Sequence, residues 1–227
     1  MRVLLTGGAG FIGSHTALLM LEKGYDVIIY DSFVNSSRKS IEAIKSILDS
    51  NSFSYKLKTI IGDIRDSAIL DKVFKDSIKE ENPIQAVIHF AGLKSVSESI
   101  SNPLEYWDVN VSGTNNILNI MNSNKCYTFV FSSSATVYGS SNSIPISEEV
   151  EVSPLNTYGV TKVAIESMLK DLYHSKRNLW KISSLRYFNP VGAHFSGLIG
   201  EEPKGEPSNL FPFFRMTTGI TKLKNIL

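Results

Sequence analysis

The run Thr6-Gly7-Gly8-Ala9-Gly10-Phe11-Ile12-Gly13 constrains this chain more than any other feature. It follows a run of strand length and composition, Arg2-Val-Leu-Leu-Thr6, and it opens a stretch from Phe11 to Lys23. In that stretch apolar residues recur at helical spacing until Gly24 stops them. A strand that turns through glycines into a helix is suited to receiving a diphosphate. Gly7 permits the tight turn, Gly10 lets the backbone approach the phosphates, and Gly13 lets the helix lie close on the sheet. The helix amino terminus, at Phe11 and Ile12, then offers unpaired N–H groups and a partial positive charge. Three glycines also serve plain turns, but here the strand, the helix and a downstream acid are all in place.

The alternation continues along the chain. Strands are expected at Val27–Asp31, Leu57–Asp63, Ala86–Phe90, Thr128–Ser132 and Trp180–Tyr187. Helices are expected at Arg38–Leu48, Ser67–Glu80, Pro103–Met121 and Tyr158–His174. The strand runs are continuously apolar rather than alternating, so they should be covered on both faces. The fold class is therefore α/β, a doubly wound parallel sheet of Rossmann type. After Pro190 glycine and proline become dense, and 190–212 reads as loop, with a short helix at Pro212–Lys222.

Composition excludes several classes. With 23 basic and 22 acidic side chains the net charge is +1, which removes the electrostatic case for nucleic acid or an anionic membrane surface. No apolar run reaches membrane-spanning length, and a strand beginning at Arg2 leaves no room for a signal peptide. A single cysteine, Cys126, forms no internal disulfide and builds no zinc site. These readings point to a soluble, cytoplasmic, metal-independent protein.

Asp31 lies at the end of the second strand, 18 residues beyond Gly13. A carboxylate there accepts hydrogen bonds from both hydroxyls of an adenosine ribose and repels a 2′-phosphate, which favours NAD over NADP. Asn35 and Ser36 follow on the same loop, and the nearby Arg38 is either a softening of that preference or an exposed helix arginine. Asp63 and Ile64 close the third strand; the Asp63 carboxylate meets an adenine amino group or caps the next helix.

The opening TGGAGFIGSH is accompanied by GDIRD at 62–66, HFAGLKSVSES at 89–99, FSSSATVYG at 131–139, TYGVTK at 157–162 and LRYFNPVGAH at 185–194. Together these motifs, spread over essentially the whole chain, resemble the UDP-glucose 4-epimerases of the extended short-chain dehydrogenase/reductase superfamily. The resemblance implies interconversion of UDP-glucose and UDP-galactose through a 4-keto sugar, with tightly held NAD and a role in galactose metabolism. Oxidising a hydroxyl needs a base while hydride leaves. Tyr158 and Lys162 are four residues apart on an expected helix and share a face, so the lysine should favour the phenolate. An incidental helical pair is the plainer alternative. By resemblance Ser134 orients the substrate hydroxyl toward Tyr158, while Ser132 and Ser133 are structural. Related dehydratases carry an acidic pair where this chain has Ala135 and Thr136, so epimerisation is favoured over dehydration.

The resemblance fills in further places. Phe90, Ala91 and Gly92 let the backbone approach the cofactor, and Lys94 reaches its phosphates or is an exposed loop lysine. Asn110 contacts the cofactor region or is structural, and Val109 stands where relatives often have another asparagine. Phe188 walls the nicotinamide, and Asn189 and Asn209 bind substrate. His15, His89 and His194 take packing or loop roles. Residues 1–188 form the NAD-binding domain with the catalytic groups, and 189–227 begin a substrate domain. Relatives being longer, the chain is expected to end within that second domain, to bind NAD, and to hold a UDP-sugar weakly. The helices near 103–121 and 157–174 imply a homodimer. Alternatives are an epimerase of a UDP-N-acetylhexosamine or UDP-uronic acid, or an inactive NAD-binding module.

Overall fold

A computed structural model of the chain describes residues 1–141 and 144–202. Six strands form one sheet: β1 (Arg2–Thr6), β2 (Asp26–Asp31), β3 (Lys56–Ile61), β4 (Ile84–His89), β5 (Thr128–Ser134) and β6 (Lys181–Tyr187). Their order is β3-β2-β1-β4-β5-β6 and every neighbouring pair is parallel. The expected doubly wound sheet is therefore present. All strand carboxyl ends lie along one edge, and the strand order reverses between β1 and β4, where such sheets open a ligand crevice.

Helices α1 (Phe11–Glu22), α2 (Arg38–Ser50) and α3 (Ser67–Lys79) follow the first three strands. On α2 the buried residues are Ile41, Ile44, Ile47 and Leu48, a stripe at helical spacing that packs with Val3, Leu5, Val27 and Ile29 on one sheet face. On the other face Leu70, Val73 and Phe74 of α3 pack with Leu4, Ile28, Val87 and Phe129. Burying each of these large side chains contributes about 1.5–3 kcal/mol.

Four details differ from the sequence expectation. A short helix, α4 (Val96–Ser101), precedes Pro103, capped by the Ser95 hydroxyl, which accepts from the Glu98 N–H. The single long helix expected from Pro103 is instead α5 (Pro103–Tyr106), a π-helical stretch (Trp107–Ser112) and α6 (Gly113–Ser123). The outer strands β3 and β6 are largely exposed, since each has a sheet neighbour on one side only among the described residues. Trp180 lies just outside β6, buried edge-on against Tyr127.

Helix α7 (Thr157–Ser175) starts at Asn156, whose side chain accepts the Gly159 N–H. Beyond β6 the described loop forms a small bridge between Ala193 and Gly200 and buries Ile199 against the core. The expected Pro212–Lys222 helix and Asn209 lie outside the described residues.

Candidate active site

The cradle is built as the glycines require. Gly7 has φ +67°, and a Cβ there would sit 2.5 Å from the Ala91 nitrogen. At Gly13 a Cβ would meet the Gly7 carbonyl oxygen at 2.5 Å, so any side chain there pushes α1 off the turn. The Thr6 carbonyl accepts from both Phe90 and Ala91 N–H groups, tying the β1 turn to the β4 end. Helix α1 begins at Gly10 with no side-chain cap and no acid in its first turn, whereas α2, α3 and α7 are capped by Ser37, Asp66 and Asn156. Uncapped N–H groups at Phe11 and Ile12, with no side chain in the way, fit a diphosphate.

Asp31 is buried and its carboxylate takes three donors from the chain: Ala9 N at 2.9 Å, Phe33 N at 2.9 Å and Ser36 Oγ at 2.7 Å. It therefore fixes both the glycine turn and the β2 loop, and an ionised carboxylate retains room for a further donor. Ser36 thus meets Asp31, while Asn35 stands exposed beside it. Asp63 does not cap α3; Asp66 does, accepting from Ile69 N. Arg65 binds both Asp63 oxygens and also reaches Asp108, which holds the Asp63 carboxyl below its ordinary range. Ile64 is buried against Gly113, leaving no space there for a side chain.

Asn110 sits on the π-helical stretch, buried, and clamps the loop after β4. Its Oδ1 accepts from Leu93 N at 2.8 Å, and its Nδ2 donates to Leu93 O at 3.1 Å and to Thr161 Oγ1 at 3.2 Å. This placement makes it a brace between the Gly92 loop and α7. Lys94 points from the same loop to Glu201 at 3.4 Å. Phe188 and Asn189 are exposed just past β6. A cavity lies between Phe11, Ile12 and His15 of α1 and residues 190–193, so the loop after β6 faces the cradle.

Ser134, Tyr158 and Lys162 come together at the β5 end. Ser134 lies where it favours the Tyr158 phenolate, and its Oγ accepts from Thr136 Oγ1 at 3.0 Å. Lys162 is buried, donates to the Ser132 carbonyl at 2.9 Å, and lies 5.5 Å from the Tyr158 ring centre. Burial pushes the Tyr158 phenol above its ordinary value, with Ser134 acting in the opposite direction. Burial pulls the Lys162 ammonium down to about 8. Desolvation thus favours the neutral form of each group.

His89 takes the packing and hydrogen-bonding role expected of it, while the half-buried Glu166 and Arg186 escaped the sequence reading. His89 bridges Thr6 Oγ1 at 2.6 Å and Thr114 Oγ1 at 2.9 Å beneath the cradle, and burial depresses it to about 3. Glu166 and Arg186 form an ion pair at 2.7 Å beside Ser133. A glutamate four residues after Lys162, and an arginine inside an otherwise uncharged stretch of β6, were the available signals. Other family-typical histidines take local bonds, His15 to Phe11 O and His194 to Ser196. Among the described residues no cluster of metal-ligating side chains forms, and no helix is long and apolar enough to cross a membrane.

A sequence profile of the family described as GDP-mannose 4,6 dehydratase matches residues 4–204. The chain is 44% identical over 214 residues to the bifunctional UDP-glucose 4-epimerase and UDP-xylose 4-epimerase 1 of Pisum sativum, covering 94% of this chain and 59% of that protein. It is 47% identical to the UDP-glucose 4-epimerase of Haemophilus influenzae, covering 94% and 60%. Among solved structures, the UDP-glucose 4-epimerase of Bifidobacterium longum in complex with NAD+ and UDP superposes with a TM-score of 0.88 at 43% identity, over 98% of this chain and 64% of that one. The chain thus spans about three-fifths of the length of these relatives.

Proposed function

We propose, from the premise that this chain belongs to the family described as GDP-mannose 4,6 dehydratase, that it is the NAD-binding and catalytic part of a UDP-hexose 4-epimerase. The observation that carries this reading is the meeting of Ser134, Tyr158 and the buried Lys162 at the end of β5, on the same sheet edge as an uncapped glycine cradle. The likeness to UDP-glucose 4-epimerases, one of them solved with NAD+ and UDP, supports it.

In this reading Gly7, Gly10 and Gly13 with the N–H groups of Phe11 and Ile12 hold the diphosphate, and Asp31 receives the adenosine ribose. Asp63 and Ile64 border the adenine. Residues Phe90–Gly92, Lys94, Asn110 and Phe188 line the remaining path. NAD, when bound, supplies the hydride acceptor and a positive charge beside the phenol. Tyr158 takes the proton from the sugar 4-hydroxyl and later returns it to the same oxygen, with a 4-keto sugar between. Ser134 orients that hydroxyl and spreads its proton's hydrogen bond. Lys162 bonds the nicotinamide ribose and keeps Tyr158 seated against β5. Ala135 and Thr136 offer no acid–base pair, which is why inversion and not loss of water is assigned. UDP-sugar contacts come from Asn189, and from Asn209 outside the described residues; residues 1–188 carry the cofactor half and 189–227 begin the substrate half.

The name of the Pisum sativum relative, which covers UDP-xylose as well as UDP-glucose, favours a second reading in which the sugar is held loosely enough to admit more than one. A homodimer is proposed as well. Helices α4 and α5 pack on α7 and expose Ile100 and Leu104, the latter 82% accessible, next to exposed Val160. The buried, unoxidised thiol of Cys126 suits a reducing cytoplasm.

The experiment is conversion of UDP-galactose to UDP-glucose by the 227-residue chain with NAD, beside Tyr158→Phe. The reading expects slow conversion that the variant loses. Conversion equal in the two proteins would remove Tyr158 from the chemistry.

A further inference from the structure

Three consecutive serines at the end of β5 each face a different group of α7. The Ser132 carbonyl accepts from Lys162 Nζ at 2.9 Å, the Ser133 hydroxyl donates to Glu166 Oε1 at 2.5 Å, and Ser134 faces Tyr158 and favours its phenolate. Tyr158, Lys162 and Glu166 are spaced four apart, so they form one stripe along α7. The strand end and the helix are thus matched group by group over two helical turns.

The third member of the stripe has no part in the proposed chemistry, yet it is the most completely bonded. Arg186 on β6 donates from Nε to Glu166 Oε1 at 3.1 Å and from Nη2 to Oε2 at 2.7 Å, a two-point fork. The two side chains are only 15% and 22% exposed. Arg186 also donates to Tyr138 Oη at 3.0 Å, on the turn that follows Ser134. One carboxylate therefore pairs directly with Arg186 and lies one helical turn from the buried Lys162, whose charge it favours from beyond contact distance. Removing it would leave both without a counter-charge on that side, the costly outcome for buried ions.

We propose that Glu166 is a positioning residue for the Tyr158–Lys162 pair, the shared counter-charge that seats a buried ammonium and a guanidinium against the end of β5. The proposal rests on the functional reading of that pair and adds a residue to it. Around Lys162 stand Tyr158 and Glu166 from α7, the neutral His89 from β4, the Gly92 loop that follows β4, and the Phe131 ring and Ser132 carbonyl from β5; Arg186 of β6 is bonded to Glu166. Glu166 is the one negative charge in this set. It raises the Lys162 ammonium against the burial that lowers it.

The test follows the titration of Lys162 itself in the full chain, by the carbon shift of its Cε after labelling lysine with ¹³C, assigned by its disappearance in Lys162→Met. Glu166→Gln should lower the Lys162 midpoint by about one pH unit. Ser133→Ala, which removes a hydrogen bond and no charge, should lower thermal stability and leave that midpoint in place. An unchanged midpoint in Glu166→Gln overturns the proposal and leaves Glu166 a structural ion-pair partner only. If Glu166→Gln does not fold, Arg186→Gln decides: the carboxylate then serves the lysine alone and the midpoint should rise, and a fixed or lowered midpoint overturns the proposal. NAD titration of the same samples separates the two readings. Failure of the parent chain to bind NAD would remove the functional reading without touching the Lys162 result.

Discussion

The Lys162 ammonium is bonded to the carbonyl of Ser132 and stands 5.5 Å from the centre of the Tyr158 ring. The end of β5 therefore anchors α7 at Lys162 and again at Glu166, where the Ser133 hydroxyl donates to the carboxylate. The site has been assembled at a cost to stability, since burial of the cation outweighs what one carbonyl, two aromatic faces and the Glu166 charge return.

Lys162→Met tests that cost. An ammonium depressed from 10.5 to about 8 is carried, buried, at neutral pH. The stability tied to its neutral form is present above about 10.5 and lost as pH falls to about 8, so at pH 7 the full penalty of about 3 kcal/mol applies. Methionine removes the penalty and forfeits the Ser132 bond, which costs about 1–3 kcal/mol. Urea unfolding at pH 7 should show stability unchanged or higher by up to about 2 kcal/mol, with conversion of UDP-galactose abolished.

Acid stability should follow His89. Its folded value of about 3 lies below the ordinary 6.5, so on acidification the unfolded chain takes up the proton first. Stability from the neutral imidazole is complete above about 6.5 and is lost as pH falls toward 3. His89→Asn should cost about 1–3 kcal/mol at pH 7, as the Thr6 and Thr114 hydroxyls lose their shared partner. Its urea midpoint should then vary less between pH 7 and pH 4 than that of the parent chain.

Asp31→Asn should act on structure and specificity together. Three chain donors converge on the carboxylate, and the amide leaves at least one of them unmatched, at about 1–3 kcal/mol in thermal or urea unfolding. With the negative charge gone, the preference for NAD over NADP should shrink by about tenfold or more in parallel titrations, because repulsion of a 2′-phosphate disappears.

The proposed dimer predicts that Leu104→Glu, at an 82% exposed position, leaves the melting temperature of the fold nearly unchanged and shifts sizing chromatography to the monomer. An unaltered elution volume would place the contact elsewhere.

Much of this architecture was legible because it is written locally. Glycines at 7 and 13 stand where backbone contacts of 2.5 Å forbid a side chain, Gly10 leaves only 3.3 Å, and the strands and the first three helices lie within a few residues of their expected ranges. What stayed hidden depends on contacts distant in sequence. The π-helical register at Trp107–Ser112 reads as ordinary helix, because nothing in the spacing shows that Asn110 must reach Leu93. Asp63 reads from sequence as an adenine contact or a cap, and only the fold shows that Arg65 binds it while also reaching Asp108. The pairing of Glu166 with Arg186 spans 20 residues and two elements. Tyr158 and Lys162 were visible as a pair, but their protonation was not, since burial rather than spacing sets it.

The most direct test of the account is a calorimetric titration of NAD into the 227-residue chain and into Gly13→Val, whose side chain would press on the Gly7 carbonyl. The account predicts saturable one-to-one binding by the parent chain and loss of binding by a folded Gly13→Val. No saturation by the parent chain, or equal affinity in the two proteins, would contradict it.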